Sequence, residues 1–183
     1  MKAYKDQKEQ IRLFRPNMNM IRFLSSCDRL EFPSFCPDLL LEMIKKLILI
    51  DSDFIPRKRG NSLYIRPSAI SMYDSLGVKK ATKVRIFVIL SPVGNYFEEK
   101  IKLAICENYQ QGSAKGPNSY KLGANYGPTV KITNELKKKG YHQTLWLHNG
   151  NITESGATNI FFLFHDSENG YIKFYFKKKD VLH

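Results

Sequence analysis

One lysine of this chain, Lys121, lies inside a glycine-rich segment that reads Tyr-Lys-Leu-Gly-Ala-Asn-Tyr-Gly-Pro over residues 120–128. A primary amine is a nucleophile that forms a Schiff base with an aldehyde. Gly123 and Gly127 leave room for a flat ligand, and Tyr126 offers a phenol. Loss of hydration in such a pocket would favour the neutral, nucleophilic amine. The segment therefore predicts a covalent site, although an isolated lysine is usually a solvated surface charge.

A single carboxylate, Glu154, stands in a second short segment that reads Asn-Ile-Thr-Glu-Ser-Gly over residues 151–156. A carboxylate can pair with a protonated pyridine nitrogen and so keep the ring an electron acceptor. Together with the Lys121 amine it provides the groups that pyridoxal phosphate chemistry requires. Taken alone, Glu154 fits an exposed glutamate at the end of a strand equally well.

The composition predicts a globular chain with a hydrophobic core. Of the 183 residues, 43% are hydrophobic and 13% are aromatic, which excludes a disordered protein. No apolar run approaches the ~20 residues that a membrane-spanning helix needs, and no signal peptide is visible. The three cysteines form no Cys-x-x-Cys pair, so we expect reduced thiols in a cytoplasmic protein. The four histidines have no metal-ligand spacing, and we expect no metal site.

The net charge of +12 leaves a nucleic-acid or anionic-membrane binder open as an alternative. The positions of the basic residues favour a lysine-rich surface instead. Residues 137–139 are three lysines at the end of a predicted helix, where cations complement the helix dipole. No nucleic-acid-binding motif is present, and we expect neither nucleic acid nor a membrane as a partner.

Two helices are predicted in the first third of the chain. Apolar residues recur at spacings of three and four after Pro16, which gives one helix an apolar face. A second helix should begin near Pro37, since proline suits the first helical position. Its predicted apolar side carries Leu40, Met43, Ile44 and Leu47.

Strands are predicted in the remainder of the first half. Residues 62–66 should form a strand that ends at Pro67, and the nearly continuous apolar run over residues 84–90 is typical of a buried central strand. Residues 107–119 should form a long loop.

The lysine segment should be followed by a helix over residues 129–139, closed by Gly140. Asn149-Gly150 is a strong hairpin signal between strands at residues 144–148 and 152–153. Further strands are predicted over residues 158–164 and 171–176. Because helices are grouped early and strands late, we expect an α+β chain whose two parts meet near residue 98.

These motifs resemble those of the branched-chain amino acid aminotransferases, which are class IV pyridoxal-phosphate-dependent aminotransferases. The Lys121 and Glu154 segments match, as do Asn-Met-Ile-Arg over residues 19–22 and Ser-Leu-Tyr-Ile-Arg-Pro over residues 62–67. The resemblance runs from about Met1 to about Phe164. It implies a partial class IV fold, with a remnant of the small α/β domain at residues 1–98. Residues 99–183 would then be the first half of the larger cofactor-binding domain.

The resemblance also implies roles for individual residues. Lys121 would carry pyridoxal 5′-phosphate and later act as the base at the amino acid Cα. Tyr126 would hydrogen-bond the phenolic oxygen of the cofactor, Glu154 would face its ring nitrogen, and Arg22 would grip its phosphate. Toward the substrate, Tyr64, Arg66 and Ala157 would border the pocket for the amino acid.

The resemblance implies that a homodimer transfers the amino group of leucine, isoleucine or valine to 2-oxoglutarate. The flanking parts of the family are not represented in this sequence, and among them are segments whose backbone amides hold the cofactor phosphate. The alternative is therefore a catalytically inactive remnant or splice product that at most pairs with an intact subunit.

Overall fold

The computed structural model of the chain describes residues 1–72, 74, 76–98, 100–107, 119–156, 158–165 and 172–176. Contacts between Cα atoms divide the chain into two compact units, Met1–Glu98 and Glu99–His183. The described residues form α-helices and separate β-sheets whose strands are largely antiparallel, so the predicted α+β class is confirmed. No helix in the part of the chain described here is long and apolar enough to cross a membrane.

The first unit contains a four-stranded antiparallel sheet in the order β2-β1-β3-β4. Its strands are β1 (Lys2–Lys5), β2 (Ile11–Leu13), β3 (Ser62–Ser71) and β4 (Val84–Val93). Two predictions about this sheet are wrong. Strand β3 continues through Pro67, which lies beyond the residues that pair with β1 and so removes no hydrogen bond to that strand. Strand β4 lies at the end of the sheet, and alternate residues such as Ile89 are exposed.

Two helices, α1 (Pro16–Arg29) and α2 (Pro37–Ile50), complete this unit. Helix α2 begins at Pro37 as predicted, whereas α1 begins at Pro16 and not after it. The buried residues of α2 are Leu41, Ile44 and Ile48, whereas Met43 is 59% exposed. The buried side of α2 therefore differs from the predicted apolar side, and only Ile44 belongs to both. Because apolar residues surround most of this helix, their spacing does not decide which side is buried. The core joins both helices to the sheet and contains Ala3, Met20, Leu41, Ile44, Ile48, Ile55, Leu63 and Ile65.

The second unit contains a three-stranded sheet in the order β5-β6-β7, in which β5 and β6 are parallel and β7 is antiparallel to β6. A separate antiparallel pair is formed by β8 and β9. The elements are β5 (Leu103–Cys106), α3 (Thr129–Lys138), β6 (Gln143–His148), β7 (Asn151–Ser155), β8 (Phe161–His165) and β9 (Ile172–Phe176).

Two turn predictions in the second unit are confirmed. Asn149 and Gly150 join β6 to β7 with φ values of 50° and 73°, the positive values that a type I′ hairpin turn requires. Gly140 follows α3 with φ of 83°, and its N–H donates to the carbonyl of Lys137 at 3.0 Å. Most of the loop predicted over residues 107–119 lies outside the described residues.

Candidate functional site

Lys121 and Tyr126 stand on either side of a short 3₁₀ turn, Gly123–Asn125, directly before α3. The N–H of Tyr126 donates to the carbonyl of Gly123 at 3.0 Å, and the Asn125 side chain donates to the carbonyl of Tyr120 at 2.9 Å. Leu122 is buried and anchors the segment. The turn thus reverses the chain and brings the two polar side chains to the same place.

The amine of Lys121 contacts the phenol of Tyr126. Its Nζ donates a hydrogen bond to the Tyr126 Oη and lies 4.4 Å from the centre of the ring. Lys121 is exposed, so the described residues do not form the dry surroundings that we predicted for its amine. What the turn provides is an accessible nucleophile with a phenol next to it.

The glycines of this segment leave open space. A Cβ atom built on Gly123 or Gly127 would have no atom within 4 Å. The Ala124 side chain between them is exposed. The described residues therefore leave open space beside these two glycines.

Glu154 lies on β7, in the same unit as Lys121, and is half-buried. Its partner across the sheet is Trp146 of β6, which is 1% exposed. The next residue, Ser155, is 3% exposed. A carboxylate carried by a strand with buried neighbours on two sides has little freedom to move.

One face of β6 carries a row of buried polar side-chain atoms. The buried Oγ1 of Thr144, Nε1 of Trp146 and Nδ1 of His148 have no hydrogen-bond partner among the described residues. Because side chains alternate along a strand, these three residues share one face of β6, and Glu154 shares it through its pairing with Trp146. Sequence reasoning missed this row, although polar residues at alternate positions of a predicted strand could have revealed it.

The first unit holds the remaining predicted residues that the structure describes. Arg22 is exposed on α1, and its Nη2 donates to the Oδ1 of Asn19 at 3.0 Å. Tyr64 and Arg66 occupy alternate positions of β3, and the Arg66 guanidinium carbon lies 5.4 Å from the centre of the Tyr64 ring. Ala157 lies outside the described residues. The structure thus brings together Lys121 with Tyr126 in one unit, and Tyr64 with Arg66 in the other.

The donor set of the second unit suits part of pyridoxal 5′-phosphate. An amine beside a phenol and a half-buried carboxylate match the aldehyde, the phenolic oxygen and the ring nitrogen of that molecule. In the first unit, the exposed guanidinium of Arg22 is a group of the type that pairs with a phosphate. The open space beside Gly123 and Gly127 is compatible with the ring of pyridoxal 5′-phosphate.

Several known proteins are similar to this chain in sequence and in fold. Residues 2–169 match the sequence model of the family described as Amino-transferase class IV. A branched-chain-amino-acid aminotransferase of Dictyostelium discoideum is 44% identical over 171 residues, which cover 92% of this chain and 45% of that protein. The mitochondrial branched-chain-amino-acid aminotransferase of Bos taurus is 44% identical over 179 residues, which cover 94% of this chain and 45% of that protein.

A solved structure gives the same result for the fold. The branched-chain amino acid aminotransferase of Escherichia coli superposes with a TM-score of 0.70 at 24% identity. The superposition covers 90% of this chain and 53% of that chain, so the predicted partial class IV fold is confirmed. This chain spans about half the length of the curated relatives that it matches. The family match extends over most of the sequence, and the chain belongs to the class IV aminotransferase family.

Proposed function

We propose that this chain is a branched-chain amino acid aminotransferase that binds pyridoxal 5′-phosphate through Lys121. The contact between the Lys121 amine and the Tyr126 phenol carries the proposal, since it places a nucleophile and a phenol donor at one accessible point. The names of the Dictyostelium discoideum and Bos taurus relatives support the substrate class. The substrates would be leucine, isoleucine or valine, with 2-oxoglutarate as the acceptor.

When bound, pyridoxal 5′-phosphate supplies an aldehyde that an amine can attack and a ring that accepts electrons. Lys121 would hold the aldehyde of the cofactor through its amine, and the same amine could accept a proton from the amino acid Cα. Tyr126 would donate to the phenolic oxygen, and the Glu154 carboxylate would keep a proton on the ring nitrogen. Arg22 would pair with the phosphate.

The substrate side of the proposal belongs to the first unit. Tyr64 and Arg66 would border the side chain and the carboxylate of the amino acid, with Arg66 supplying the positive charge. Ala157, outside the described residues, would lie near the same carboxylate. Residues 1–98 would be a remnant of the small domain and residues 99–183 part of the large cofactor-binding domain. We also propose a homodimer. The cytoplasmic location stays a prediction, because the Bos taurus relative is named as mitochondrial.

Borohydride trapping tests the role of Lys121. The protein is incubated with pyridoxal 5′-phosphate, reduced with borohydride, digested and mapped by mass spectrometry. We expect a stoichiometric label on the peptide that contains Lys121, and the loss of this label in Lys121→Ala. The matched control is Lys131→Ala on α3, an exposed lysine whose replacement should leave the Lys121 label unchanged.

The outcomes separate the proposal from its alternative. A label scattered over surface lysines would remove the covalent role of Lys121. Trapping at Lys121 without formation of glutamate from leucine and 2-oxoglutarate would favour an inactive chain that pairs with an intact subunit.

A further inference from the structure

The pairing of β6 with β7 changes register beside Glu154. Trp146 pairs with Glu154, but the next residue, Leu147, pairs with Ile152. Thr153, which lies between these two pairs on β7, is therefore the extra residue of a β-bulge.

This bulge determines the face on which Glu154 lies. In a regular strand, residues two apart point to the same face, so Ile152 and Glu154 would share one. Here their partners, Leu147 and Trp146, are consecutive residues and point to opposite faces. Because paired residues share a face, Glu154 lies on the side of Trp146, opposite to Ile152. The bulge thus moves the carboxylate onto the face with the row of unpaired polar atoms.

The side chain of Thr153 forms a hydrogen bond from the bulge to the neighbouring strand, β6. Its Oγ1 donates to the backbone carbonyl of Trp146 at 3.1 Å. Trp146 is fully buried and is also the residue that pairs with Glu154. One hydrogen bond therefore holds the residue before Glu154 against the residue opposite it.

The backbone is also constrained at Gly156, two residues after Glu154. The N–H of Gly156 donates to the carbonyl of Thr144 at 2.9 Å, and its φ is 36°. A Cβ at Gly156 would clash with the Oε1 of the buried Gln143, so any larger residue would displace that side chain. The backbone is consequently fixed on both sides of the carboxylate.

We propose that Thr153 is a positioning residue, which holds the Glu154 carboxylate on the Trp146 face through the hydrogen bond to the Trp146 carbonyl. The proposal rests on the role of Glu154 given under the proposed function. Thr153 would act through the backbone of the residue that follows it, since its hydroxyl donates to the Trp146 carbonyl.

The test compares Thr153→Val, which has nearly the same shape but no hydroxyl, with Thr153→Ser, which keeps the hydroxyl. Binding of pyridoxal 5′-phosphate is followed by quenching of the fluorescence of Trp146, the chain's one tryptophan. We expect Thr153→Val to weaken binding by about 3- to 10-fold, the usual range for the loss of one hydrogen bond. Thr153→Ser should stay within about 2-fold of the unchanged protein. Thr133→Val on α3 serves as the matched control and should change nothing.

A pH titration of the ring nitrogen of bound, ¹⁵N-labelled pyridoxal 5′-phosphate, followed by NMR, gives the second measurement. A carboxylate near the ring nitrogen stabilises its proton, so a displaced carboxylate lets the proton leave at lower pH. Thr153→Val and Glu154→Gln should both move this transition to lower pH. In the Glu154→Gln background, Thr153→Val should have no further effect on the transition or on binding, because its effect passes through the carboxylate.

Each contrary outcome has one meaning. If Glu154→Gln weakens binding and Thr153→Val does not, the positioning role is wrong and the proposed function stands. Additive effects of the two substitutions would also overturn it, since they would show a general loss of structure. If the unchanged protein binds no pyridoxal 5′-phosphate, or Glu154→Gln binds it equally well, the role of Glu154 and this inference fail together.

Discussion

The two compact units bury different kinds of side chain. The first has a core of eight buried apolar residues, and its helices α1 and α2 each contribute to that core. In the described part of the second unit, the buried side chains are as often polar as apolar, and α3 has no buried residue. The buried residues there are Ala104, Leu122 and Trp146, with Gln143, Thr144 and Ser155.

The two units therefore depend on apolar burial to different degrees. Apolar burial stabilises both units, and a buried polar atom without a partner among the described residues costs free energy in either. Three of the four such atoms, those of Thr144, Trp146 and His148, lie on the sheet face that carries Glu154, and the fourth is the Oγ of Ser62 in the first unit. Local departures from good packing are expected at functional sites, since a site must keep polar groups ready for a ligand.

The largest expected effect belongs to the core of the first unit. Ile44 is 1% exposed on α2, and Ile44→Ala should lower the free energy of unfolding by about 2–5 kcal/mol, because it leaves a cavity. Urea unfolding followed by far-ultraviolet circular dichroism measures the change. The adjacent Met43 is 59% exposed, and Met43→Ala should stay within about 0.5 kcal/mol. Equal losses from the two variants would contradict the assignment of the core.

A smaller effect of opposite sign is expected in the second unit. The Thr144 hydroxyl is buried without a partner in the described part of the chain. Thr144→Val replaces it with a methyl group of similar size, so stability should stay constant or rise by up to about 1 kcal/mol. Urea unfolding followed by Trp146 fluorescence measures this change near the substituted residue.

Thr153→Val supplies the matched comparison for Thr144→Val. It removes a hydroxyl that does donate, to the Trp146 carbonyl, and should cost about 0.5–1.5 kcal/mol. A loss of similar size from Thr144→Val would show that its hydroxyl is paired. The contrast between the two units would then be weaker than the structure indicates.

Local signals in the sequence predicted the turns well. Asn149-Gly150 and Gly140 were identified because each residue type suits the positive φ that its turn requires. Predictions that depended on tertiary packing were less accurate. The apolar run of β4 indicates neither a central nor an end position in the sheet, and the apolar residues around α2 do not define one buried face.

The same distinction applies to the candidate site. Lys121 and Tyr126 could be placed together from sequence, since only a short turn separates them. The contribution of Thr153 could not, because a bulge arises from the register between two strands and has no local sequence signal. The dry environment predicted for Lys121 depends on residues distant in sequence, and it is not formed by those described here.

The smallest effect is expected at the surface of the first unit, where polar groups are paired. Asp6 accepts hydrogen bonds from the backbone N–H groups of Gln10 at 2.9 Å and Lys8 at 2.8 Å, and from the Arg12 Nε at 3.0 Å. The Gln10 N–H, with Arg12 and Lys8, lowers the pKa of Asp6 below its ordinary value. The folded protein therefore binds this proton less tightly than the unfolded chain.

The stabilisation by Asp6 should accordingly be present above its unfolded pKa of about 4 and be lost as the pH falls through the lower, folded value. Acid titration followed by the amide NMR signals of Lys8 and Gln10 measures this transition. Asp6→Asn keeps an oxygen acceptor but has no proton to gain, so its amide signals should not move in that range. A midpoint at or above the ordinary aspartate value in the unchanged protein would show that these bonds do not favour the carboxylate. The paired carboxylate of Asp6 would then no longer contrast with the row of buried atoms on β6 that lack a partner among the described residues.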